Sequence, residues 1–480
     1  MNLLRKEITL KQKCVLTIKK RMASTSTLAF IKRYGMIVPC GLMGLFGMFA
    51  MPANALLVNN LIQNPHKTMT IAESALEWKL NASNSTPLSR EHELIRVPAA
   101  NLPEGLLVDD NLLILVEQKD GKVPVQSLPY QWATSASFSE QKELLIQASF
   151  KPHEHKRLRI IKLQAGSFEK QNSSAAYAEL AVRFGGTMNN KMQFEGGTYS
   201  QVSEFQLPSD HTIGNKLFKY EGFGWESELV GYRYYFDNRG AVDIFGKQQV
   251  GLALKEVGLD GDDYHALDEW GMDVLKVGGS LGLGALGAYV DGEIVKVTDF
   301  QSSHVSIRND AIYASAMLSA NAWQVGDNTY DLQVTYRIAG GQRLTEVIGD
   351  ADGLNHWASG IVNHVSNDKS KADVKLMAEG ISSTTQGQDT KAWCYRATYG
   401  KQSLNDDNLG MALFYPCENS TLIDSELNIA VAMQGSMAHY YFLAGWEAEN
   451  SLFASEARFS EYLKQTQTRL NKQIEVTWQN

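Results

Sequence analysis

From residue 56 onward the apolar positions fall into short runs broken by turn residues, and helical periodicity is rare. Residues 56–164 read as short strands. An apolar run spans 112–116, Asp120-Gly121 supplies a hairpin turn, and a further strand covers 158–163. This pattern predicts an N-terminal β-sandwich domain of about 110 residues, the size of such modules. Residues 166–174, rich in serine, read as a linker. Strands then continue over 175–480, with turn signals at Asp237-Asn238, Asp291-Gly292 and Gly340-Gly341. About 300 residues of hairpins predict an all-β second domain built as two large stacked antiparallel sheets. The one helical pattern is 455–472, where Phe459, Leu463 and Leu470 share a face and Ser455 can cap the start.

The N-terminal 55 residues read as an address rather than fold. Lys32 and Arg33 precede an apolar run, 36–50, and Ala53-Asn54-Ala55 offers small residues for a signal peptidase. That run is too short to span a bilayer comfortably, so a cleaved secretory signal and a periplasmic or secreted product are expected, without a membrane span. Nine of the 45 Lys/Arg, but only one of the 53 Asp/Glu (Glu7), lie in 1–55. The remainder carries 36 basic and 52 acidic residues, a net of −16. Such a surface repels phosphate backbones, so nucleic acid is not an expected partner. It also repels polyanionic sugars at long range, so a uronate site needs a local basic patch. Only Cys394 and Cys417 remain after cleavage, and in an oxidising compartment they could pair.

Candidate chemistry concentrates in four segments. In 220–247, Trp225, Tyr232, Tyr234, Tyr235 and Phe236 are interleaved with Glu226, Glu228, Arg233, Asp237, Arg239 and Asp243. Rings cover the apolar faces of pyranoses while charges fix hydroxyls and carboxylates, so the mixture suits a sugar cleft. It also suits an ordinary hairpin with rings inward and charges solvated. In 264–282, His265, Asp268, Trp270 and Asp273 precede a glycine-rich run that reads as a tight bend. His356 and His364 flank Trp357, and their even separation would put both on one face of a strand. Finally His439 is followed by Tyr440 and Tyr441, of which a strand would show only one to any cleft. Serine-hydrolase, zincin, Walker and dinucleotide signatures are missing.

WESELVGYRYYFDNRGAVDIFGK, YHALDEWGMDVLKVGGSLG, LTEVIGDADGLNHWASGIVNH and HYYFLAGWEAE give the chain a resemblance, from about residue 175 onward, to a bacterial family catalogued as domain of unknown function 4861. The resemblance implies an exported protein that accompanies enzymes dismantling uronate-containing polysaccharides. It also implies a galactose-mutarotase-like supersandwich, similar to that of several polysaccharide lyases. The favoured expectation is therefore a lyase acting on a uronate-containing glycan by β-elimination, a reaction that needs a base, an acid and a neutralised carboxylate. By residue type, Arg233 would neutralise, His265 would be the base, Tyr234 or Tyr235 the acid, and His356 an alternative base or neutraliser. Trp225, Glu226, Trp270, Asp273, Trp357, His364 and His439 are candidate substrate contacts. The rivals are a glycoside hydrolase using Glu226 and Asp273, an epimerase or mutarotase using His265 and Glu226, and a non-catalytic binder using Trp225, Trp270 and Trp357. No cofactor is expected. Acidic residues near His265 could hold calcium, although alternating loop ligands are not evident.

Overall fold

In the computed structural model, residues 76–117, 127–134, 142–163, 175–367, 374–379 and 392–479 are described. The signal segment, the Asp120-Gly121 turn and the 166–174 linker lie outside them. Leu57–Asn480 form one compact unit, and the protein is all-β with antiparallel sheets. Among the described residues no helix is long and apolar enough to cross a membrane.

Two small sheets come first. Strands Glu77–Ser83, His155–Lys162 and Leu112–Val116 are joined at one edge by Glu475–Gln479, from the far end of the chain. Arg90–Pro98, Lys142–Phe150 and Tyr130–Thr134 make the second sheet. Leu80, Ile95, Val97, Ile114, Leu144, Ile146, Leu158 and Ile160 fill the space between them, with Ile474 closing one side. Alternation explains the arrangement: every second residue of these strands is apolar and points at the opposite sheet.

Three further sheets make the larger body. A nine-stranded sheet runs from Glu204–Gln206 at one edge to Lys375–Glu379 at the other, with Asn328–Ala339, Thr345–Ala351 and Met437–Trp446 at its centre. Facing it is a six-stranded sheet in the order Thr198–Val202, Ala176–Phe184, Phe218–Ser227, Gly231–Tyr235, Val242–Lys247, Gly271–Asp273. A five-stranded sheet containing His356–Val362 and Asn428–Gln434 continues that layer. The join is made by 282–283, where Gly282 bridges Val242 and Leu283 bridges Ile361. Rings lock the two layers: Trp225 stacks on Tyr336 at 5.0 Å, and Tyr232 meets Phe442 edge-on at 5.1 Å. The expected turns at 237–238, 291–292 and 340–341 all occur. Helix Glu456–Asn471 is capped by the Ser455 hydroxyl and buries Phe459 and Leu463 on the outer face of the nine-stranded sheet.

Cys394 and Cys417 form a disulfide that closes the hairpin Trp393–Lys401/Asn408–Pro416. A cross-link over this separation restricts the unfolded chain, so replacing both cysteines by alanine should cost about 2–4 kcal/mol. Equal denaturation midpoints for the double variant and the parent would contradict this.

The small sandwich docks on the nine-stranded sheet through a buried ion cluster. Glu346 accepts from Arg96 (3.0 Å), Arg337 (2.8 Å), Tyr313 (2.9 Å) and Tyr441 (2.9 Å). Burial opposes its charge, but Arg337 and Arg96 outweigh burial and hold the carboxyl well below the usual range.

Candidate acid–base site

The six-stranded sheet has two unlike faces. Phe223, Trp225, Tyr232, Tyr234, Val242 and Ile244 point into the core. The residues between them, Glu226, Arg233, Tyr235, Asp243 and Phe245, point the other way. Segment 248–270 folds over that outer face, setting Leu254, Val257, Tyr264 and Trp270 around Tyr220 and Phe245.

At the centre of the outer face lies Arg233, fully buried. It donates to Asp243 (2.7 Å), Asp273 (2.5 Å), the Tyr235 hydroxyl (2.5 Å) and the Tyr264 hydroxyl (3.1 Å). Tyr235 in turn donates to Asp243 at 2.6 Å. Burial, then the neighbouring Asp273, pushes Asp243 up to about 6. Asp273 links this interior to solvent, because its Oδ2 is 3.2 Å from Nδ1 of His265, whose side chain is 57 % exposed. The hydrogen bond to Asp273 raises the imidazole above its ordinary value against a smaller opposing effect of burial. A half-open histidine backed by a buried carboxylate can take up and release a proton near neutral pH.

Sequence reasoning named Asp237 and Arg239 at the rim of this site without giving them a role, and missed Glu221. Arg239 lies 3.6 Å over the Tyr235 ring and pairs with Asp237 (2.5 Å) and Glu221 (3.0 Å). Glu221 sits in a bulge where strand Phe218–Ser227 shifts register. Tyr220 and Glu221 both have positive φ, 39° and 64°, which costs non-glycine residues energy and often marks a working site. Tyr264, with its ring 4.4 Å from that of His265, was readable from its place at the head of the YHALDEW motif.

The structure thus brings together His265, Arg233, Tyr235 and Asp273, with Trp270 packed edge-on against Phe245 at 6.0 Å. The other candidates go elsewhere. Tyr234 faces inward and stacks on Phe223 at 5.1 Å, out of reach of the His265 face. Trp225 and Trp357 are core residues with no exposed surface, their indole N–H groups held by Thr345 and by the Gly435 carbonyl. Large rings fill the gap between stacked sheets, and the sugar cleft inferred for them is not where they lie. Glu226 is buried, paired with Lys247, and accepts from the amides of Ala253 and Leu254 at 2.9 Å. His439 belongs to the docking cluster, 3.0 Å from Glu346. His356 and His364 do not share a face, because the strand ends at Val362 and His364 begins a short helix. His356 is exposed beside one cavity, whereas His364 is buried beside another, its Nε2 3.1 Å from the Lys276 carbonyl. Arg233 keeps its place but not its assigned task, since two aspartates already engage it. Among the described residues no three His, Cys, Asp or Glu side chains gather as metal ligands.

A family model described as Domain of unknown function (DUF4861) matches residues 82–476. The chain belongs to this DUF4861 family. The match starts in strand Glu77–Ser83 and ends in Glu475–Gln479, so the family unit includes the small sandwich and extends well before residue 175. No curated protein matches the chain. Two solved structures from Enterococcus faecalis are similar at 10 % identity: a protein in glycosyl hydrolase family 38 (TM-score 0.39) and an alpha-mannosidase (TM-score 0.38). Each alignment covers 87 % of this chain but 49 % and 47 % of those proteins, so the chain spans about half their length. Likeness of that degree carries no functional information.

Proposed function

We propose that this DUF4861 member is an exported carbohydrate-active enzyme that cleaves a uronate-containing glycan by β-elimination, with His265 as the base. The observation that carries this reading is the His265–Asp273 contact, with the imidazole open to solvent and the carboxylate fixed from behind by Arg233. The disulfide supports export, since such bonds persist in oxidising compartments.

In this reading neutral His265 removes the proton at C5, and Asp273 stabilises the imidazolium that forms. Arg233 holds Asp273 in place from behind. Tyr264 accepts from Arg233 and keeps its own proton to give to the departing glycosidic oxygen. Tyr235 suits that task less well, because its O–H is already committed to Asp243. Arg239 lies over the Tyr235 ring, paired with Asp237 and Glu221, and takes the carboxylate-neutralising role in this reading by exchanging Glu221 for the substrate. The hydrolase alternative loses support because Glu226 is fully occupied by Lys247 and two amides.

A panel of uronate glycans incubated with the protein tests the proposal. Elimination leaves a conjugated, ultraviolet-absorbing product, whereas hydrolysis or epimerisation does not. Reducing ends appearing without that absorbance would replace the lyase with a hydrolase. The pH profile gives a second check. Since the base must be neutral, kcat/KM should rise with pH along a limb centred above about 6.5, the ordinary histidine value. Asp273→Asn removes the main cause of the shift and should move that limb to lower pH. A limb that stays in place would show that the titrating group is not His265.

A further inference from the structure

Lys219 and Lys247 each meet a carboxylate in the interior, but Lys296 does not. It ends strand Glu293–Lys296, half-buried, and donates to the carbonyls of Ser280 (2.9 Å) and Gly279 (3.3 Å). Among the described residues no carboxylate lies in salt-bridge contact with it. Burial pulls its ammonium down to about 8, so near neutral pH it is still mostly charged. Lys296 lines a cavity of about 530 Å³ in the five-stranded sheet region, and so does His356. Such a volume suits a small ligand. Tyr289 offers a ring, and Asn428 and Gln434 offer amides. Of the acids present, Asp424 is neutralised by both nitrogens of Arg396, and Glu293 is exposed. A second cavity of about 420 Å³ shares Gly279 and Leu427 with the first and adds Lys276, His364 and one acid, Asp406.

Two lysines therefore bring positive charge to adjoining hollows, with two histidines beside them as hydrogen-bonding groups, on a chain whose region after residue 55 has a net charge of −16. Local positive charge of this kind is what an anionic sugar needs in order to approach. We propose that the larger cavity is a second glycan-binding site, in which Lys296 and His356 hold the carboxylate of a uronate residue and Tyr289 covers its ring. It lies beyond the 237–240 turn from the His265 cluster. The turn backs onto the end of this strand, so a Cβ added at Gly240 would come within 2.7 Å of Thr298. The inference rests on the reading of the protein as one that handles uronate glycans, and not on His265 as a base.

The test is calorimetric titration of the full chain with trimers of galacturonate, glucuronate, mannuronate and guluronate, together with their methyl esters. His265→Ala serves as background, so that no probe is consumed. At least one acid trimer is expected to bind, and its ester to bind about tenfold more weakly or less. Lys296→Met and His356→Gln should each weaken the acid about tenfold and leave the ester unchanged. His356 is exposed, so its variant should melt like the parent and keeps the test clear of folding effects. Absence of binding by all four acids would overturn the proposal. So would equal affinity for acid and ester, unchanged affinity in both variants, or equally tight binding of a sulfated trimer. Failure of the reading for His265 would show elsewhere, as undiminished turnover in His265→Ala.

Discussion

His265→Ala is expected to lower kcat/KM on a cleavable uronate glycan by about 10²–10⁴-fold, the usual worth of a positioned general base. The side chain is more than half exposed and its one strong contact is Asp273 at 3.2 Å. Its removal should therefore leave the melting temperature almost unchanged. Loss of activity in a fully folded variant separates chemistry from structure. His265→Gln restores some of the contact to Asp273 but cannot exchange a proton, so it should be as inactive as the alanine variant. Retained turnover in either variant would remove His265 from the mechanism.

The largest stability effect is expected at Arg233. Its guanidinium is the shared partner of Asp243 and Asp273, and all three are buried. Arg233→Met leaves two buried carboxylates facing each other, and breaking such a cluster from one side costs about 3–5 kcal/mol. The loss should depend on pH with a definite sign. Asp243 in the intact protein is raised to about 6 from an ordinary 3.8, by burial and then by Asp273, with Arg233 pulling it down. A group raised on folding contributes stability that is complete below its unfolded value and is lost as pH climbs through its folded value. Removing Arg233 takes away the downward pull, so the deficit of the variant should widen as pH rises above about 6, where Asp243 ionises in the folded parent but not yet in the variant. Urea unfolding of both proteins at several pH values measures this directly. A deficit independent of pH would mean that the carboxylates are not what the guanidinium stabilises.

Local features of the fold were readable because local chemistry sets them. Turn residues at 237–238, 291–292 and 340–341 appear as turns, and Ser455 caps the helix where its hydroxyl can reach an amide. Tyr440 and Tyr441 fall on opposite faces as neighbours on a strand must, one donating to the Gly284 carbonyl and the other to Glu346. What alternation does not say is which parity faces the core. Tyr234 and Tyr235, or Trp225 and Glu226, are equivalent on that criterion, and only the partner sheet decides between them. That sheet is assembled from strands far away in sequence, so the decision was not visible locally. The same limit applied to the histidines. Four of them looked like one constellation, but the pairing of distant strands spreads His265, His356, His364 and His439 over separate surroundings. Of the candidate site, the YHALDEW segment, Asp273 and Arg239 were legible, whereas Glu221 depends on a bulge that spacing does not announce.

Strand Glu475–Gln479 pairs with Glu77–Ser83, residue for residue from Lys79 and Gln479 to Ser83 and Glu475. During synthesis the first of the described strands must then wait for the last of them, with its hydrogen-bonding edge uncovered while some four hundred residues emerge. A chain that stops before residue 475 would keep that edge open, a template for joining another molecule. Such a truncated product should self-associate where the full-length chain stays dispersed, a difference that light scattering would register.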